Sequence, residues 1–178
     1  REFSHIRGLL IDIDGVLVTS WKPLPGAVDA FRRIRDAGVP VCLLTNTTSR
    51  TKSQVTSTLR GLGFPVDPQD IVTVASATAA HIEHLAPGAR CLLVNSGDVT
   101  PDLRGIRIVG PDAPSAEVDV VILGGAGPEY DYATLNRVLE CLLRGAPLLA
   151  MHRNTVWRTE AGLRLDTGAF LAGLERAA

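Results

Sequence analysis

Cysteine, net charge and long apolar runs are what this sequence lacks, and each shortage removes a class of function. Its 178 residues hold three cysteines, Cys42, Cys91 and Cys141, far apart along the chain. An odd count without a close pair is no disulfide framework and fits a reducing compartment. Each thiol lies in an apolar stretch and reads as a small core residue. Lys and Arg total 18 and Asp and Glu 19, for a formal charge of -1. So even a balance argues against a strongly basic nucleic-acid surface and against an acidic solvating tail. The longest unbroken apolar runs, such as Val120-Val121-Ile122-Leu123, have the length of a strand, not of a bilayer span. Residues 1–5 give no secretory h-region. The expectation is a cytoplasmic protein with neither nucleic acid nor membrane as a partner.

Several motifs are missing too. There is no Gly-x-x-x-x-Gly-Lys-Ser/Thr, which excludes a P-loop, and no Gly-x-Ser-x-Gly elbow of a serine hydrolase. Gly124-Gly125-Ala126-Gly127-Pro128 invites a dinucleotide reading. Tyr130 stands where the third Gly belongs, however, and Pro128 removes a donor N–H, so a tight loop is the better account. His81 and His84 have a metal-compatible spacing on a predicted helix, but no Cys or second His pair accompanies them. They read as surface or capping residues.

What is present is an alternation of hydrophobic periods. A chain 46% hydrophobic and 21% charged has ordinary globular usage. Residues 6–13 are largely apolar and bounded by Gly15, consistent with a strand buried on both faces. Pro25-Gly26 opens a helix with Val28, Phe31 and Ile34 on one stripe, closed by Ala37-Gly38. A second buried strand spans 39–45. Thr51 and Gln54 have capping-box spacing, and Val55, Leu59 and Leu62 follow at helical intervals until Gly63. Strand, helix, strand, helix is the start of a parallel, doubly wound α/β sheet with right-handed crossovers. A second α/β unit follows, with helices at 75–85 and 131–144 and strands at 90–95, 105–109, 118–123 and 147–152. No long linker separates the two, so a domain boundary must be a short crossing near 71–76. Residues 168–178 read as a helix with no Gly cap or terminating Pro, and the first residue is not Met. The chain is therefore expected to be part of a longer one.

The sharpest chemical signal is Asp12-Ile13-Asp14-Gly15-Val16-Leu17 at the end of the first strand. Carboxylates at i and i+2 share a face of a strand, and their like charges raise one pKa. Such a pair is costly beside an apolar run unless a cation or a reaction uses it. Gly15 lets the backbone turn sharply and approach a ligand. In open α/β sheets, ligands bind beyond the carboxyl ends of the strands, where this pair sits. A plain turn is one reading. A calcium loop is rejected, because Val16 and Leu17 occupy positions that must be polar and Gly. The third is nucleophilic attack on phosphorus, with one Asp attacking, the other handling the leaving-group proton, and magnesium neutralising the crowded charge. The second strand supports the third reading. It ends Leu43-Leu44-Thr45-Asn46-Thr47-Thr48, which sets a hydroxyl and an amide beside Asp12 if the strands are parallel neighbours, with a helix N-terminus just beyond.

These two motifs, with Pro25-Gly26-Ala27, Gly145-Ala146-Pro147-Leu148 and Gly168-Ala169-Phe170-Leu171, resemble the haloacid dehalogenase superfamily, and more closely its subclass IIA, the NagD-type phosphatases. The resemblance implies a Rossmann-like core over 1–71, of which only the first half is present. It also implies an inserted C2-type α/β cap over 72–167 and a helix, 168–178, returning to the core. Asp12 would be the nucleophile that forms an aspartyl-phosphate, and Asp14 the general acid and then base. Asp12's carboxylate and Asp14's backbone carbonyl would bind Mg2+. Gly15, Thr45, Asn46 and Thr47 would surround the phosphoryl group. The cap would choose the substrate, a small phosphorylated metabolite, and would offer a surface for a homodimer.

Two departures qualify the resemblance. The family's third motif, a Lys in Gly-Lys-Pro, and its fourth, an acidic pair, do not occur in these residues, so the 178-residue chain alone is expected to be nearly inactive. In the cap, Met151-His152-Arg153-Asn154 replaces the usual Thr-Asn-x-Asp and resembles the subgroup containing the phospholysine/phosphohistidine inorganic pyrophosphate phosphatase. His152, Asn154 and Trp157, with Arg153, are candidates to face a substrate; a solvated loop with a packed Trp is the alternative. The resulting expectation is a magnesium-dependent phosphatase. A non-catalytic ligand-binding module and a phosphotransferase or phosphomutase on the same scaffold are the alternatives.

Overall fold

A computed structural model of the chain describes residues 6–159 and 162–178, which divide into two compact units. The first comprises the residues to Asn46 together with Arg50–Val74; the second comprises Thr47–Ser49 and Ala75–Ala178.

In the first unit, β1 (Leu9–Asp12) leads through a small hairpin, β2 (Val18–Thr19) and β3 (Lys22–Pro23), into α1 (Ala27–Asp36). Then come β4 (Val41–Thr45), α2 (Lys52–Gly61) and β5 (Ile71–Thr73). The sheet order is β1-β4-β5, all parallel, with Leu9 opposite Val41, Asp12 opposite Leu44 and Thr45 opposite Thr73. Both crossover helices cover one face. Phe31 and Ile34 of α1 and Val55 and Leu59 of α2 pack with Ile11, Leu43 and Ile71, and Phe31 meets Phe64 edge-on at 5.7 Å. The capping box at the start of α2 forms as expected: Gln54 N–H donates to Thr51 Oγ1 at 3.2 Å, and Thr51 N–H to Gln54 Oε1 at 2.9 Å. The first strand departs from its reading as a segment buried on both faces. It alternates, and Leu10 is 74% exposed, because α1 and α2 cover only the Leu9–Ile11 side.

In the second unit, α3 (Val74–Leu85) enters from the first and is followed by β6 (Arg90–Val94), β7 (Arg107–Ile108), β8 (Val120–Leu123), α4 (Tyr132–Leu143) and β9 (Leu148–Ala150). Its sheet order is β7-β6-β8-β9, again parallel, with β8 buried along its whole length. An antiparallel hairpin, β10 (Val156–Thr159) and β11 (Gly162–Leu165), then leads into α5 (Thr167–Ala177). This last helix clusters with the second unit. Leu171 and Leu174 are buried with Val121, Leu123, Tyr130 and Val138 in the second unit's own core. Cys91 and Cys141 are buried free thiols, and burial pushes Cys91 up to about 11. His81 and His84 lie exposed on α3. No helix among the described residues is long and apolar enough to cross a membrane.

The glycine run after β8 has a packing cause. The buried Asn95 amide donates to the carbonyls of Thr48, Ser96 and Gly97 at 3.0, 3.1 and 2.9 Å, and its oxygen accepts the N–H of Gly125 at 2.8 Å. A Cβ on Gly124 would overlap the Asn95 side chain, and one on Gly125 would overlap Thr48 Oγ1. The tight loop is thus the lid of a socket that holds residues 48 and 49.

Candidate active site

The site of the first unit forms where β1 and β4 end at the same edge. Parallel pairing of Asp12 with Leu44 brings the residues that follow each strand to one end of the sheet. Beyond β1 the chain turns at Gly15, whose φ of +84° lies in the left-handed region and whose N–H donates to Val18 O at 2.7 Å. That turn holds Asp14 in a bridge to Val18.

Asp12 is exposed and its Oδ1 accepts the N–H of Ile13 at 2.8 Å. Thr45, almost fully buried at the end of β4, donates its hydroxyl to Asp14 Oδ2 at 3.5 Å. The Asp14 carboxyl is pushed above its ordinary value, first by partial desolvation and then by the charge of Asp12. The Thr45 hydrogen bond and the charge of Arg50 pull it back in part. The loop therefore presents two exposed carboxyls, of which Asp14 keeps its proton to higher pH than an ordinary Asp. Asn46 is exposed at the strand end. Thr47, the next candidate, clusters with the second unit, where its hydroxyl lies 3.3 Å from Ser49 Oγ.

Two residues of this neighbourhood were not singled out from sequence. Arg50, just before the cap of α2, lies 4.4 Å over the Trp21 ring and donates from Nη1 to Thr58 Oγ1 at 3.2 Å. Trp21 is on the β2–β3 turn. Neither belongs to a periodic pattern or a motif; an Arg beside a capping box is the one available signal.

In the second unit the three cap candidates part ways. The His152 side chain turns inward, with Nε2 3.8 Å from Asp166 Oδ1, and its buried Nδ1 has no hydrogen-bond partner among the described residues. Asp166 caps α5 through the N–H of Thr167 at 2.8 Å and also accepts the N–H of Ala126 at 3.2 Å. Asn154 is exposed, and its backbone carbonyl accepts the N–H of Gly168 at 2.8 Å. Arg153 pairs with Glu175 at 2.8 Å. Trp157 is half exposed and lines an open groove of about 450 Å³ with Arg164, Leu165, Phe170 and Gly127.

Comparison with known proteins identifies the family. The family profile described as haloacid dehalogenase-like hydrolase matches residues 9–108. The haloacid dehalogenase-like hydrolase domain-containing protein 2 of Homo sapiens is 32% identical over 172 residues, covering 97% of this chain and 63% of the relative. The chain thus spans just under two thirds of that relative's length. The structure of NagD from E. coli K-12 superposes with a TM-score of 0.81 at 28% identity, over 97% of this chain and 66% of the other. A glycerol phosphate phosphatase from Mycobacterium tuberculosis, in complex with magnesium, gives a TM-score of 0.81 at 30% identity, over 96% of this chain and 51% of the other.

Proposed function

The chain belongs to the haloacid dehalogenase-like hydrolase family, in its NagD-type subclass IIA, and from that premise we propose that it carries the nucleophile and the proton donor of a magnesium-dependent phosphatase acting on a small phosphomonoester. The observation that carries the reading is the Thr45–Asp14 hydrogen bond at 3.5 Å, which ties the acid loop to the next strand end.

In this mechanism Asp12 attacks phosphorus in line. Its exposed carboxylate becomes an aspartyl-phosphate as the bond to the leaving oxygen breaks. Asp14, with its raised pKa, donates the proton that the departing alkoxide takes up. The deprotonated Asp14 then removes a proton from the water that attacks the acyl-phosphate, which releases phosphate and regenerates Asp12. The Thr45 hydroxyl orients Asp14 and would donate to a phosphoryl oxygen bound beside it. The donor set fits a magnesium ion. It consists of hard oxygens, the Asp12 carboxylate and a backbone carbonyl, beside the Asp14 carboxyl, which desolvation and the charge of Asp12 raise. Asp12's carboxylate and Asp14's backbone carbonyl would hold the ion, which supplies charge neutralisation for the phosphoryl group.

Substrate choice falls to the second unit in this reading. Pyrophosphate and phosphoamino acids are the other substrate classes. Phosphate release by the full-length protein, since residues 1–178 alone are expected to be nearly inactive, measured over a panel of phosphorylated metabolites with magnesium, tests the proposal. Turnover of at least one member, abolished in Asp12→Asn with the fold intact, is the expected result; turnover retained in that variant refutes it.

A further inference from the structure

We propose that Arg50 is a phosphoryl-binding residue, a guanidinium held back from the acidic pair so that a substrate oxyanion can fit between them. The inference rests on the phosphatase reading and adds to it a binding group that neither catalytic Asp supplies.

An Arg close to carboxylates ordinarily forks onto one of them. The ion pairs of the first unit are Arg32–Asp29, Arg35–Asp70 and Arg60–Asp67, and among the described residues Arg50 joins none. Yet its charge is felt at Asp14. Two contacts account for this stand-off. The face of Trp21 lies under the guanidinium at 4.4 Å, and Thr58 Oγ1 takes one N–H at 3.2 Å. The rest of the fork has no protein partner among the described residues. Planar donors left over in a half-buried cation suit the oxygens of a tetrahedral anion.

The platform under Arg50 is itself unusual. Ser20 and Trp21 have φ values of 49° and 57°, so both central residues of the hairpin turn are left-handed with neither Gly nor Asn present. A bulky aromatic residue holds that conformation only where its surroundings impose it. Here it sets the indole under Arg50. The hairpin is continuous with the acid loop, since Val18 bonds Gly15 and bridges Asp14. The platform and the proton donor are therefore parts of one local structure.

The test is calorimetric titration of the full chain with inorganic phosphate, for the protein and for Arg50→Ala, Arg50→Gln and Arg50→Lys. Trp21 emission serves as a second readout, taken as the difference from Trp21→Phe. Expected are a Kd for phosphate raised about tenfold or more in the Ala and Gln variants, a smaller rise in Lys, and a Trp21 response to phosphate that vanishes without Arg50. A Kd unchanged in either folded variant overturns the inference. Asp12→Asn separates the two readings, because it removes turnover without touching Arg50. Turnover retained there defeats the phosphatase reading, whereas an unchanged Kd in the Arg50 variants defeats only this one.

Discussion

Thr45 and Asp14 lie 31 residues apart in sequence and meet at 3.5 Å, hydroxyl to carboxylate, at the common end of two parallel strands. The contact places a neutral donor on the carboxyl that burial and Asp12 have already pushed toward its protonated form. An acid that is raised, oriented and next to an open carboxylate is an arrangement suited to proton transfer.

Removing that hydroxyl is expected to slow the reaction more than it weakens substrate binding. Thr45→Val should lower kcat about 100-fold, on the scale of losing one well-placed donor, while Thr45→Ser stays within about tenfold of the native protein. Steady-state kinetics with the best substrate of the panel checks this. Equal rates for Val and Ser would remove the hydroxyl from the mechanism.

The raised Asp14 carries a stability cost whose sign can be worked out. A carboxyl that holds its proton more tightly when folded loses stability as pH rises from the ordinary value of 3.8 through the raised one. At neutral pH the full cost is present; well below pH 3.8 it is absent. Asp14→Asn should therefore melt at a higher temperature than the native protein at pH 7 in the presence of a chelator. The two melting curves should converge in acid. An active-site substitution that stabilises while it slows turnover is the expected signature.

Two glycines separate close packing from open space. Gly124→Ala forces a methyl group into the Asn95 amide and should destabilise by about 1–3 kcal/mol. Gly173, in the exposed middle of α5, has nothing within 4 Å of a built Cβ. Gly173→Ala should stabilise by about 0.5–1 kcal/mol through helix propensity. Urea denaturation of both variants measures the contrast, which disappears if the loop after β8 is not a socket.

The acid loop was legible because its signal is local: two carboxylates, a Gly and an apolar run, followed one crossover later by a strand ending in Thr45. Parallel strands share their carboxyl ends, so the topology brings Thr45 toward the acidic pair; the sequence sets it beside Asp12, whereas its hydroxyl bonds Asp14. The β2–β3 hairpin was not legible, since Ser20-Trp21 carries no turn residue and the turn forms against local preference. Nor was the exposure of Leu10, because an apolar run does not say which of its faces a helix will cover. Residues 168–178 read as a helix, but their sequence does not say in which core Leu171 and Leu174 are buried. Arg50 escaped notice because a single cation has no period. Its role lies in an aromatic face 29 positions upstream that only the folded chain brings near.

The central claim is that Asp12 takes the phosphoryl group into a covalent bond. Acid-quenched protein, caught during turnover with magnesium and reduced with borohydride, reports this directly by peptide mass spectrometry. Reduction of an aspartyl-phosphate leaves homoserine at position 12, and that residue is predicted in the native protein and not in Asp12→Asn. Unmodified Asp12 in a sample that is releasing phosphate, with the label on another side chain or on none, would contradict the account.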